Sequence, residues 1–126
     1  MPTTFDLTPE QISTYRRHAQ QRRQQELPEI ERRRERAWEA ARMAARVLKE
    51  KFGVTRVVVF GSLVRDAGFT RWSDVDIAAW GLALEDTFRA IGVIMDLDTE
   101  VPVNLVDVNT ASPPLLEAIE REGIAL

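Results

Sequence analysis

The sequence predicts an α/β (α+β) fold, a small mixed β-sheet covered by helices and preceded by a long N-terminal helical extension. Three observations point to it. Short runs rich in β-branched residues recur at "TRVVVF" (55–60), "DVDIAAW" (74–80) and "EVPVNLVDV" (100–108). Stretches of helical periodicity separate these runs, and residues 8–52 carry helical signals throughout. At 126 residues and 44% hydrophobic content, one core is the expectation.

Taken in order, "LTPEQ" opens the first helix. Thr8 can cap it, Pro9 fits the first helical position and Gln11 completes a capping box. Its apolar residues are few, chiefly Ile12, Tyr15 and Ala19, with the sole histidine, His18, beside them. Such a stripe does not fasten a helix to a core, so residues 1–28 are expected to form a helical extension that projects, packs loosely or meets another protein. Pro28 removes a backbone donor, which predicts a break there and a second helix over 29–52. Trp38, Ala41, Ala45, Leu48 and Phe52 share one face of that helix, and Gly53 ends it. Residues 29–126 form the expected domain. Further on, "LEDTFRAIGVIMDL" (84–97) and "SPPLLEAIEREG" (112–123) predict two more helices, the latter capped by Ser112.

Composition excludes several chemistries. With no cysteine, neither a disulfide framework nor a thiolate zinc site exists, and one histidine makes no histidine-pair metal site. No apolar run is long enough to span a membrane and no signal-peptide pattern is present, so a cytoplasmic protein is expected. Charge is divided unevenly: residues 1–56 hold 13 Lys/Arg against 8 Asp/Glu, and residues 57–126 hold 4 against 12. An acidic body disfavours extended nucleic acid, and the alternating charges of "ERRRER" (31–36) suit a self-paired helix face.

The chemistry is concentrated in "FGSLVRDAGFTRWSDVDIAAW" (60–80). Along a strand, alternate side chains share a face, so Asp74 and Asp76 lie together while Val75 and Ile77 enter the core. Two carboxylates so placed can ligate magnesium through hard oxygen atoms, and without a cation they repel. Gly61 permits a sharp turn after the first strand, Ser62 adds a hydroxyl, and a helix begun at 63–66 would favour an anion. Arg65 supplies a positive charge suited to phosphate oxygens. Trp72 and Trp80 flank the acidic strand, where packing or stacking on a purine would engage them.

Gly-Ser followed by Asp-x-Asp, here with eleven residues between, resembles the signature of minimal nucleotidyltransferases of the DNA polymerase beta-like superfamily. The resemblance spans residues 45–126 and includes the tail "PPLLEAIEREGIAL". It implies a nucleotidyltransferase palm in which Gly61 and Ser62, with Arg65 and Ser73, hold ATP while Asp74 and Asp76 bind Mg2+. The family's later strand reads close to "VDLVD" and begins with a third catalytic carboxylate. Here it reads "VNLVD" and puts Asn104 in that catalytic place. Asn has no site to accept a proton, and Asp107, three residues on, should face the other way. Relatives of this type are often antitoxins that transfer AMP to a tyrosine of a helical HEPN toxin. The resemblance therefore implies a toxin partner, and the many arginines and poor apolar backing of the N-terminal helices make them the expected place of contact. The alternative is a catalytically weak nucleotide-binding module that neutralises its partner by contact.

Overall fold

A computed structural model of the chain describes residues 7–65 and 68–126. Asp66 and Ala67, in the loop before the acidic strand, and residues 1–6 of the extension lie outside the described residues.

The order of elements is α1 (Pro9–Phe52), β1 (Arg56–Phe60), β2 (Val75–Trp80), α2 (Thr87–Met95), β3 (Val103–Asp107), α3 (Pro113–Glu122) and β4 (Ile124–Ala125). The four strands lie in the order β3-β2-β1-β4. β1 runs antiparallel to β2 and β4, and β2 runs parallel to β3, so the sheet is mixed as expected.

α1 departs from the expected pair of helices. It is one helix of 44 residues with Pro28 inside it, about 66 Å long at the usual rise. A proline in a helix interior costs about 3 kcal/mol. Here residues 20–29 are exposed, which leaves the carbonyl that loses its partner open to solvent, and Gln, Arg and Glu on either side favour helix strongly. The start is as expected: Gln11 N donates to Thr8 Oγ1 at 3.1 Å and Thr8 N to Gln11 Oε1 at 2.9 Å. At the far end Gly53 takes the left-handed conformation, φ 64°.

The two halves of α1 differ in their surroundings. Between Pro9 and Arg36 no residue is buried, and Tyr15 is 66% exposed. From Ala37 onward, Ala37, Ala40, Ala41, Ala44, Ala45 and Leu48 are all buried. These small side chains let the helix lie close on one sheet face, formed by Val57, Val59, Val75, Ile77 and Ala79. Ala90 and Ile94 of α2 join the same core. α3 covers the other face, where Ile119 packs against Val58 and Ala78.

β4 was not foreseen. Its two residues pair with Val58 and Val59, and Leu126 N donates to Val57 O at 2.9 Å. Gly123 makes the approach between α3 and β4 possible: a Cβ there would stand 2.1 Å from Val58 Cγ1. Ser112 occupies the expected cap position of α3 without a side-chain cap bond, and Pro113 follows it.

Candidate active site

The site is built at the end of the central strands. Cross-strand pairing places Phe60 of β1 opposite Asp76 of β2, and Asp76 opposite Asn104 of β3. Directly opposed residues share a face, so these three form one row across the sheet. Val75 and Ile77 are fully buried on the other side, as alternation requires. Asp74 lies one residue ahead of β2 rather than within it. It remains close enough to Asp76 for its charge to act on that carboxyl.

Gly61 and Asp76 meet directly. Gly61 has φ 78° and opens a four-residue 3-10 turn, Gly61–Val64, in place of the longer helical start expected at 63–66. A Cβ at position 61 would lie 2.8 Å from Asp76 Oδ2. Two demands therefore select glycine here, the left-handed backbone and the carboxylate beside it. The glycine-led bend thus stands directly against the Asp76 carboxylate.

The electrostatics of Asp76 follow from this crowding. Burial raises its pKa above the ordinary carboxylate value; the Asn104 hydrogen bond lowers it and the Asp74 charge raises it again. Asn104 Nδ2 donates to Asp76 Oδ1 at 3.3 Å, so a neutral amide occupies the position where a third carboxylate would face Asp76. Among the described residues no group of three or more His, Cys, Asp or Glu forms a metal cluster. Asp74 and Asp76 with the Asn104 amide still offer the hard oxygen donors that suit magnesium. The repulsion felt by Asp76 is of the kind that a divalent cation relieves.

Asp107 is elsewhere. It is buried, 3% exposed, and accepts hydrogen bonds from Thr87 Oγ1 at 2.8 Å and Asn109 N at 3.0 Å. It fixes α2 and the turn after β3, on the face away from Asn104.

Ser62 lies in the turn beside Gly61. Arg65 is exposed and pairs with Glu122 of α3 at 3.1 Å, an ion pair that lowers the Glu122 pKa. Ser73 Oγ accepts from Thr70 N at 2.9 Å and so braces the loop. Trp72 is 79% exposed and stays free of the core, whereas Trp80 carries the Arg56 guanidinium 4.2 Å from its ring centre.

Sequence reasoning missed Arg33 and Arg34. The expectation of a self-paired face for "ERRRER" holds for one contact, Arg34 to Glu31 at 4.0 Å. Arg33 instead donates to the Ser73 carbonyl from Nε at 3.2 Å and Nη2 at 2.9 Å, with Nη2 3.8 Å from Asp74 Oδ1. Arg34 Nη1 donates to the Leu63 carbonyl at 3.1 Å. Arg36 pairs with Glu100. Nothing in a run of alternating charges distinguishes arginines that turn inward.

Among the described residues no helix is long and apolar enough to cross a membrane. No curated protein matches the chain. Among solved structures, two variants of the toxin–antitoxin pair MntA–HpeT share its fold. One has 22% identity and a TM-score of 0.54 over 68% of this chain and 69% of that chain. The other has 21% identity and a TM-score of 0.52 over 68% and 70%. The family model described as polymerase beta, nucleotidyltransferase matches residues 43–126, which takes in the Gly61 turn, both aspartates and Asn104. The chain belongs to the polymerase beta nucleotidyltransferase family.

Proposed function

We propose that this chain is a magnesium-dependent nucleotidyltransferase that moves AMP from ATP to a hydroxyl of a partner protein, and that it acts as an antitoxin. The expected acceptor is a tyrosine of a HEPN-type toxin. The observation that carries the reading is the meeting of Gly61 with Asp76, in one row with Asn104. Membership of the family supports nucleotidyl transfer with a nucleotide and a divalent metal. Likeness to a toxin–antitoxin pair supports a toxin as partner. In this reading residues 1–28 are an extension and residues 29–126 the transferase domain.

Asp74 and Asp76 would hold Mg2+, which neutralises phosphate charge and fixes the α-phosphate for in-line attack. Gly61 and Ser62 would receive the triphosphate, with Arg65 and Ser73 at its margins. The acceptor oxygen bonds to the α-phosphorus, the bond to the β-phosphate oxygen breaks and diphosphate leaves. Asn104 has no site for the hydroxyl proton, so the proton passes to a base on the substrate or partner. The test is incubation with labelled ATP, magnesium and the co-expressed neighbouring protein. Label on that neighbour, lost in Asp74→Ala, is the expected result, and an unlabelled neighbour defeats the proposal.

A second reading rests on Asn104 and on the exposed half of α1: a binding module that neutralises its partner by contact. Deleting residues 1–27 separates the two. Neutralisation lost while AMP transfer persists identifies contact; neutralisation lost in Asp74→Ala alone identifies chemistry.

A further inference from the structure

Two adjacent arginines of α1 reach different halves of the site. Arg33 grips the Ser73 carbonyl with two nitrogens, at 3.2 and 2.9 Å, and so holds the peptide that leads into Asp74. Arg34 donates to the Leu63 carbonyl at 3.1 Å, one residue beyond Ser62. Its guanidinium also lies 5.3 Å from the centre of the Phe69 ring, which is buried in the loop between the two halves. Both arginines are largely withdrawn from solvent, with side chains 26% and 24% exposed. Successive helical residues point about 100° apart, so one helix can hold two separate segments at a fixed spacing.

Resting on the transferase reading above, we infer that Arg33 and Arg34 are a pair of positioning residues that set the separation between the triphosphate-binding turn and the metal-binding aspartates. Arg33 serves the acidic half: it orients the backbone entering Asp74 and leaves its second contact with the Asp74 carboxylate long, at 3.8 Å, so that oxygen stays available to a cation. Arg34 serves the Gly-Ser half, where it fixes the turn whose carbonyl it binds. Arg33 uses two nitrogens of its planar fork on one carbonyl, and Arg34 combines one donated bond with a flat guanidinium over the Phe69 ring, neither of which a lysine ammonium reproduces. Lysine keeps the charge, so Arg→Lys variants separate geometry from electrostatics.

The experiment uses the full chain with Arg33→Lys and Arg34→Lys. Four quantities are read: Mn2+ binding by calorimetry with the metal alone, binding of a non-hydrolysable ATP analogue with magnesium, amide hydrogen exchange over 61–65 and 73–77, and Tm. Loss of a charge-assisted hydrogen bond corresponds to roughly a tenfold effect. Arg33→Lys should weaken Mn2+ about tenfold and speed exchange at 73–77. Arg34→Lys should weaken the analogue about tenfold, leave Mn2+ binding near the native value and speed exchange at 61–65. A general loss of stability would move both affinities together in step with Tm, and that pattern overturns the inference, as does native behaviour in both variants. A native chain that binds neither manganese nor the analogue defeats the transferase reading instead. Faster exchange confined to the segment each arginine holds then upholds the two grips, and unchanged exchange overturns them.

Discussion

At Asp76 three influences act on one carboxyl, and their balance gives it a measurable signature. Its pKa in the fold lies above the ordinary value, first because it is partly buried. As pH falls, the native state therefore takes up the proton before the unfolded state does. The penalty is present in full above the folded pKa and is relieved as pH drops toward the unfolded value. Asp76→Asn should raise Tm at neutral pH, and the gain should shrink on acidification, as thermal melts between pH 7 and pH 4 would show. Asn104→Asp acts in the opposite sense. A third carboxylate opposite Asp76 should lower Tm without metal and make the recovery with Mg2+ larger. It should also raise the rate of transfer about a hundredfold or more if a missing base limits turnover, read as label transferred per minute. Gly61→Ala should cost at least about 1 kcal/mol from the left-handed backbone. Its methyl would also displace the Asp76 carboxylate, so cation binding should weaken together with Tm.

The elements show how far local pattern reaches. β1, β2 and β3 were legible because β-branched runs bounded by turn residues leave few alternatives, and alternation then fixed the faces of Asp76, Asn104 and Asp107. β4 was not, since two residues carry no period and their pairing depends on Gly123 letting the chain pass Val58. Pro28 misled for a different reason: the rule that proline breaks a helix weighs a local cost, and the long favourable run on each side outweighs it at an exposed position. Pro28→Ala should restore the lost backbone bond, stabilising α1 by about 3 kcal/mol locally. Slower amide exchange through residues 24–32, with little change in the sheet, would register it. The inward turn of Arg33 and Arg34 was invisible for a third reason, because it depends on where the sheet places the Leu63 and Ser73 carbonyls.

On the scale of the whole molecule, the chain is a sheet held between α1 with α2 on one face and α3 on the other, with one end of α1 extended beyond the packed body. Isolated helical stretches of this kind are marginal without a tertiary surface, so the outer half should exchange its amides quickly in the free protein and slowly once a partner covers it. Because α1 is unbroken from Pro9 to Phe52, a partner that covers that outer half would join it to the arginines at the site as one stiff rod. Tyr15 and Arg33 stand about 27 Å apart along it. In the transferase reading, a protein that took hold of the tip would gain leverage on the loops around Ser73 and Leu63 without touching either, and recognition at a distance would become one mechanical event with alignment of the reacting groups.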